Sequence, residues 1–356
     1  MFDNHTLGEC FQHDNWTRSR IYGYARALTA EQLRQPFELG AGSLLATFRH
    51  IYGAERIWLE RWRGELPPFP PSSTITELEE LARVHDELAE MRAGLIAELD
   101  NEALQQSINY VDPQEKSRNV PLGGLLLHVY NHNVHHRAQT LNMLRRLGVQ
   151  VDMLDFLVFR AEQPTVAWEP SARTRAIELG LAVGPEPVSP ARLSTPCLFT
   201  YYSYNDWANT RLFSVSKKLD DEQLDRTFDI GLGTLRRTLV HLYNADQWWY
   251  ENWTAGGKPE FDELPQTTSV SELEQLLNET SAKRNEFLAD CGDDDLQREV
   301  GAWVRPDARF CFRLGESMLQ VCTHGTHHRA QALNMLRQLG VELPSLELVD
   351  WLDQQK

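Results

Sequence analysis

Apolar residues recur at spacings of three and four along most of this chain, and one such row is written twice. Leu125, Val129, Thr140, Met143 and Leu147 line one face of a segment that begins near Pro121 and stops at Gly148. Met318, Val321, Ala332, Met335 and Leu339 line the matching face between Leu314 and Gly340. That period belongs to an amphipathic helix, and a glycine just past the last periodic residue is a common helix terminator. A first helix is expected around Trp16–Leu28. A second is expected from Gly42-Ser43 to about Arg61, and again from Gly233-Thr234 to about Asn252, with Ser43 or Thr234 able to cap the first turn. A third opens at Thr74-Ile75-Thr76-Glu77, matched by Ser269-Val270-Ser271-Glu272, both with capping-box spacing. The stretches Ser107–Val111 and Trp303–Phe312 are less regular, and a brief extended segment is expected in each. Four helices per copy predict an all-α protein made of two antiparallel four-helix bundles.

The duplication extends over most of the chain. An offset of 191 residues carries Trp16 onto Trp207, His50 onto His241, Trp58 onto Trp249 and Trp62 onto Trp253. Past residue 120 the offset becomes 192, which places His132 on His324 and Leu141–Arg145 on Leu333–Arg337. So small a drift over so many positions indicates a duplicated domain rather than a short-period solenoid. Between the copies lie Pro164, Pro170, Pro185, Pro187, Pro190 and Pro196, which read as a connector with one short helix near Arg173–Leu179. The expected organisation is a first bundle at residues 1–160, a linker at 161–196 and a second bundle at 197–356.

Composition narrows the classes of function. With 356 residues, each copy can bury its own core. A net charge of −16 argues against a nucleic-acid partner, which requires a basic surface. No apolar run approaches the ~20 residues needed to span a bilayer. The start of the chain lacks the basic and apolar regions of a signal peptide, so a cytoplasmic location is expected. Five unpatterned cysteines suggest neither a disulfide framework nor a thiolate zinc site.

The histidines carry the candidate chemistry. His132, His135 and His136 form one tract and His324, His327 and His328 its near copy, while His50 and His241 stand alone upstream of each. Positions four apart share a helix face, so His132 and His136 lie on the apolar row, as do His324 and His328. His135 falls instead on a polar row with Gln139, Asn142 and Arg146, and His327 on one with Gln331, Asn334 and Gln338. The third ligand is expected from another helix: His50 has Thr47 and Ala54 on its face, and His241 has Thr238 and Ala245. Three imidazoles suit a divalent ion, zinc or nickel ahead of iron or manganese, with one ion per bundle. Three protein ligands also leave coordination positions open, which favours chemistry over scaffolding. His128 becomes Gln320 in the second copy and His85 has no counterpart, so neither is expected to ligate. The tryptophans read as core and interface residues, and Cys322 as a core cysteine. Glu55 and Asp246 read as surface groups or supports for the ligands. Arg137 and Arg329 are open between holding an anionic substrate and bridging helices.

These residues resemble a known family. Tyr204-Asn205-Asp206-Trp207-Ala208-Asn209, Leu235–His241 leading to Trp249, and His324–Gln331 are similar to the DinB-like family, and Trp16, His50, Trp58 and His132–Gln139 repeat the match. Apolar tails at Leu154–Leu157 and Leu346–Val349 fall where the family has one. The resemblance implies up-up-down-down bundles that bind a divalent metal through one histidine of the second helix and a His-x-x-x-His pair of the last. That carries over to His50, His132 and His136, and to His241, His324 and His328. Single-domain members often form homodimers, so the tandem chain is expected to be an internal pseudo-dimer and monomeric overall. Characterised relatives include thiol S-transferases that use bacillithiol or mycothiol, and a mycothiol-dependent isomerase. The resemblance therefore implies a metal-dependent enzyme acting on a small molecule, such as a low-molecular-weight-thiol S-transferase or hydrolase. The alternative of a different class is a non-catalytic metal-binding or stress-response interaction protein. No residue is singled out as catalytic.

Overall fold

The structure, a computed structural model, describes residues 2–64, 75–112, 115–184, 187–255, 259, 261–305 and 308–355. The first copy comprises α1 (Asn4–Ala25), α2 (Ala30–Arg34), α3 (Leu44–Trp62), α4 (Leu78–Glu98), α5 (Asn101–Gln105), strands β1 (Ser107–Val111) and β2 (Ser117–Pro121), and α6 (Leu122–Arg146). Helices α7 (Phe156–Glu162) and α8 (Pro170–Glu178) follow. The second copy repeats the order with α9 (Thr195–Ser216), α10 (Asp221–Asp225), α11 (Leu235–Thr254), α12 (Val270–Ala289), β3 (Glu299–Arg305), β4 (Ala308–Arg313) and α13 (Leu314–Gln338), and α14 (Leu348–Asp353) comes last. In the first copy α1 and α3 each pack on both α4 and α6; in the second, α9 and α11 each pack on both α12 and α13. The protein is thus mainly helical with two related domains in tandem. The less regular stretches turn out to be antiparallel hairpins, Ser107 pairing with Pro121 and Glu299 with Arg313. No helix among the described residues is long and apolar enough to cross a membrane.

Several local signals act where they were expected. Ser43 Oγ accepts from the Ala46 N–H at 3.2 Å and Thr234 Oγ1 from the Arg237 N–H at 3.2 Å, which starts α3 and α11. Gly148, with φ of +82°, ends α6, and Gly340, with φ of +73°, ends α13. Helix α12 opens with Ser269 Oγ accepting from the Glu272 N–H. Its counterpart α4 differs from the expected capping box: it starts at Leu78 with Glu77 itself as N-cap and no side-chain cap hydrogen bond, and Thr74 lies outside the described residues. Helix α1 begins well before Trp16. Its first turns bury Glu9, His13 and Asp14 among apolar residues, which breaks the apolar stripe that periodicity detects.

Contacts divide the chain into two compact units, Met1–Asp152 with Ser345–Lys356, and Met153–Pro344. This differs from the continuous division at 160 and 197, because α7 and α8 pack with the second copy and α14 with the first. In the first unit Arg118 of β2 reaches Asp350 at 2.8 Å and Asp353 at 3.2 Å, while Leu348 and Trp351 are buried. In the second unit the Gln320 side chain donates to Asp155 at 3.2 Å and accepts from the Leu157 N–H at 3.3 Å, while Phe156 and Phe159 are buried.

Each unit is also tied together by one buried arginine. Arg92 of α4 pairs with Glu55 of α3 and donates to Asn15 of α1 at 2.8 Å. Asn133 of α6 donates to the same Glu55 at 2.7 Å and to Asp14 at 3.0 Å. Arg284 of α12, 2% exposed, pairs with Asp246 of α11 at 2.7 Å and Asp206 of α9 at 2.6 Å. Glu55 and Asp246 are therefore interior clamps rather than surface groups. His85, which donates or accepts at Glu55 and Tyr22, is held neutral, its pKa pushed down to about 3 by burial. Removing the guanidinium from such a cluster leaves carboxylates without a counter-charge, at a typical cost of about 3–5 kcal/mol. Arg284→Ala is expected to destabilise the second unit by about that amount in urea titrations. A loss below about 1 kcal/mol, the size of an exposed ion pair, would show that the clamp is not structural.

Candidate metal centres

The second and last long helices of each unit bring one histidine trio together. His50 comes from α3, with His132 and His136 one turn apart on α6; His241 comes from α11, with His324 and His328 on α13. The ligand-capable nitrogens of each trio lie within 4.8 Å of one another. His50 Nε2 faces His132 Nε2 at 3.1 Å, and His241 Nε2 faces His324 Nε2 at 3.1 Å. A tetrahedral ion with metal–nitrogen bonds of 2.0–2.1 Å has nitrogen–nitrogen edges of about 3.3 Å, so the spacing is close to that of a coordination sphere. His132 Nδ1 is buried with no hydrogen-bond partner among the described residues, while its Nε2 faces His50 Nε2.

The surroundings keep these rings neutral. Burial pushes the pKa values of His132, His136, His324 and His328 well below the ordinary imidazole value, and the adjoining imidazoles lower them further. Burial also lowers His50 and His241. A neutral imidazole has a free lone pair, the form that ligates a metal. His50 is the exposed member of the first trio, so that trio opens towards solvent on the α3 side.

One glutamine in each unit selects the tautomer. Gln139 Oε1 accepts from His136 Nδ1 at 2.8 Å, while its amide donates to His135 Nε2 at 2.9 Å. Gln331 repeats this with His328 Nδ1 at 2.9 Å and His327 Nε2 at 2.9 Å. A proton on Nδ1 leaves Nε2 bare and pointed at the centre of the trio. The middle histidines thus stand outside the trios, each holding the glutamine that orients a ligand.

The glutamines are in turn held by a glycine. Gly231 has φ of +49° and Gly40 φ of +57°, a region that favours glycine. A Cβ on Gly231 would come within 2.2 Å of Gln331 Oε1; one on Gly40 would come within 2.8 Å of Thr47 Oγ1 and 3.0 Å of Gln139 Oε1. Sequence reasoning placed Gln139 and Gln331 only on a polar row and did not consider the two glycines. The available signal was the repetition itself: His-His-Arg-Ala-Gln and the glycine recur at matching offsets.

Other sequence candidates sit elsewhere. Arg137 and Arg329 are buried and donate to neutral groups, Arg137 to Thr17 at 3.2 Å, Arg329 to Asn209 at 3.0 Å and Thr326 at 2.9 Å. Neither makes an ion pair among the described residues. Cys322 is a buried free thiol and its pKa is raised by burial. His128 is buried beside Trp58, and burial lowers its pKa to about 4. Trp249 is a core residue and at the same time a wall of a cleft of about 650 Å³ in the second unit, to which His241 and His324 also contribute. A volume of that size suits a small-molecule ligand.

Comparison with known proteins agrees with the repeat. The sequence model of the DinB family matches residues 1–171 and again 193–356. Protein DinB of Bacillus subtilis is 26% identical over 151 residues, covering 40% of this chain and 86% of that protein. The crystal structure of a DinB-like protein from Bacillus cereus matches 43% of this chain and 97% of its own at 20% identity, with a TM-score of 0.36.

The glycine–glutamine–histidine chain makes a specific prediction. Gly231→Ala is expected to displace Gln331 and free the His328 ring, lowering metal affinity of the second trio by about 10–100-fold, the usual effect of losing a partner behind a ligand. Competition titration against a chromophoric chelator measures this, and an unchanged affinity would remove Gln331 from the description of the site.

Proposed function

The chain belongs to the DinB family, and on that basis we propose that it binds two divalent metal ions, one per bundle, and uses them in enzymatic group transfer or hydrolysis. The ligands are His50, His132 and His136 in one bundle and His241, His324 and His328 in the other. The observation that carries this reading is the pair of Nε2–Nε2 approaches of 3.1 Å between neutral rings, found in both units. Three neutral nitrogen donors favour zinc or nickel over the oxygen-seeking ions, with iron and manganese as further candidates. An ion held by three protein ligands lowers the pKa of a thiol or water bound in an open position, supplying a nucleophile at neutral pH.

The chain's own residues supply the rest. Gln139 and Gln331 keep the Nδ1 proton on His136 and His328, so those rings present Nε2. The buried Arg92 and Arg284 clamps hold α3 and α11 in place, and with them His50 and His241. The largely apolar cleft beside the second trio gives an organic substrate a place to lie. A low-molecular-weight thiol S-transferase fits these features, as does a hydrolase. A cleft next to the histidines favours the enzyme over a purely structural or stress-response metal protein, for which a closed site would suffice.

Elemental analysis of protein prepared without a histidine tag tests the proposal. Two ions per chain are expected in the wild type, one each in His136→Ala and His328→Ala, and none in the double variant. The lowered imidazole pKa values give the pH dependence its sign: the rings stay neutral as pH falls through the ordinary imidazole value of 6.5, so metal should be retained there and lost in more acid solution. Protein that takes up no zinc, nickel, iron or manganese after reconstitution at neutral pH would overturn the reading.

A further inference from the structure

The two trios differ in what surrounds them, and the difference points to a substrate class. We infer that the cleft of the second unit binds an uncharged, flat aromatic molecule with one end at His241 and His324, and that the first unit lacks this specificity. Apolar side chains predominate in the walls, and the large flat surfaces among them are Trp248 and Trp249 from α11, Phe310 and Phe312 from β4, Phe261, and Trp168 from the connector. Trp168 stacks on Phe310 with ring centroids 5.0 Å apart and planes 15° from parallel. Its indole N–H donates to the Cys311 carbonyl at 2.7 Å, so the ring's polar group is satisfied and its apolar surface serves the wall. Such surfaces favour ring stacking and edge contacts with a planar ligand.

Along the cleft walls, away from the histidine end, charge selects against anions. Among the described residues that line the cleft, Asp155 and Glu263 are the charged ones, and none is a lysine or arginine. Asp155 is engaged by Gln320 and Asn244 Oδ1 accepts from the Leu264 N–H, which leaves the Asn244 amide nitrogen, Glu263 and the histidine edge as the groups that face a ligand. A carboxylate or phosphate would meet no counter-charge among the described residues of the cleft walls. An uncharged molecule loses little on entering it.

The first unit fills the same positions with larger or charged side chains. The shared offset and hairpin register place Tyr110 where the second unit has Ala302, Arg118 where it has Phe310, and His128 where it has Gln320. Tyr110 packs edge-on against Trp58 at 5.0 Å, Trp58 packs edge-on against His128 at 5.6 Å, and Arg61 lies 5.0 Å over the Trp58 ring. Arg118 is engaged with Asp112, Asp350 and Asp353. Where the second unit has Ala302, Phe310 and Gln320 lining a cleft, the first has a packed column.

Occupation of the cleft can be tested apart from the metal reading on which its orientation rests. In chelator-treated full-length protein, the neutral dye N-phenyl-1-naphthylamine should bind with one equivalent per chain. Its anionic analogue 1-anilinonaphthalene-8-sulfonate should bind at least about tenfold more weakly. Ala302→Tyr and Trp248→Ile, which install first-unit residues, should each weaken the neutral dye by about tenfold while the far-UV circular dichroism spectrum and the urea midpoint stay unchanged. The unchanged spectrum and midpoint show that the variants are folded. No neutral-dye binding, equal binding of the two dyes, or indifference to both substitutions would overturn the inference. The orientation is tested with cobalt(II) and 1-benzylimidazole. The visible spectrum should shift in His136→Ala, which keeps the second trio, and not in His328→Ala, which keeps the first. Equal shifts in both would also overturn the inference. Failure to load cobalt at all would count against the metal proposal, and the dye result would stand alone.

Discussion

Two imidazole nitrogens from different helices meet at 3.1 Å in each unit, and the rest of the molecule is arranged to allow it. Neutral nitrogens at that distance either share a proton or share a third atom, and burial disfavours charging either ring. The arrangement holds only if the backbones of α3 and α6, or of α11 and α13, are placed independently of the histidines. The buried arginine clusters do this: each joins the first, second and third long helices of its unit through one guanidinium, and in the first unit Asn133 of α6 joins the same cluster. The histidines are thus presented by a scaffold whose stability comes largely from elsewhere.

Orientation is set by a shorter chain of contacts. A glycine with positive φ makes room for a glutamine, the glutamine carbonyl accepts a hydrogen bond from Nδ1 of one histidine, and its amide donates to the middle histidine of the tract. The same chain occurs in both units. The cleft walls beyond the histidines differ, aromatic and open in the second unit, occupied by Tyr110, His128 and Arg118 in the first. Duplication has kept the presentation of nitrogen and changed what can approach it.

Much of this could be read from the sequence because helical period and repetition act together. The rows through His132 and His324 separate the inward pair from the middle histidine by geometry alone, and the recurrence of His50 as His241 supplies the third member. Caps at Ser43 and Thr234 and terminal glycines at 148 and 340 follow local rules that tertiary packing does not override here. The early turns of α1 were hidden because Glu9, His13 and Asp14 are buried and partnered, which removes the contrast between polar and apolar faces. The membership of α7 and α14 in their units was hidden because it depends on long-range contacts such as Gln320–Asp155 and Arg118–Asp350. The cleft was hidden for the same reason: Trp168, Phe261 and Phe310 come from a connector, a loop and a hairpin that share no period.

The central claim is that each trio is a three-nitrogen coordination sphere with open positions. Zinc-edge X-ray absorption on the loaded protein measures this most directly, because it reads the atoms around the ion without reference to any substrate. Three imidazole nitrogens at about 2.0–2.1 Å, with any remaining donor a light atom from solvent, is the expected result. A shell containing protein sulfur, or one made mainly of carboxylate oxygens, would contradict it.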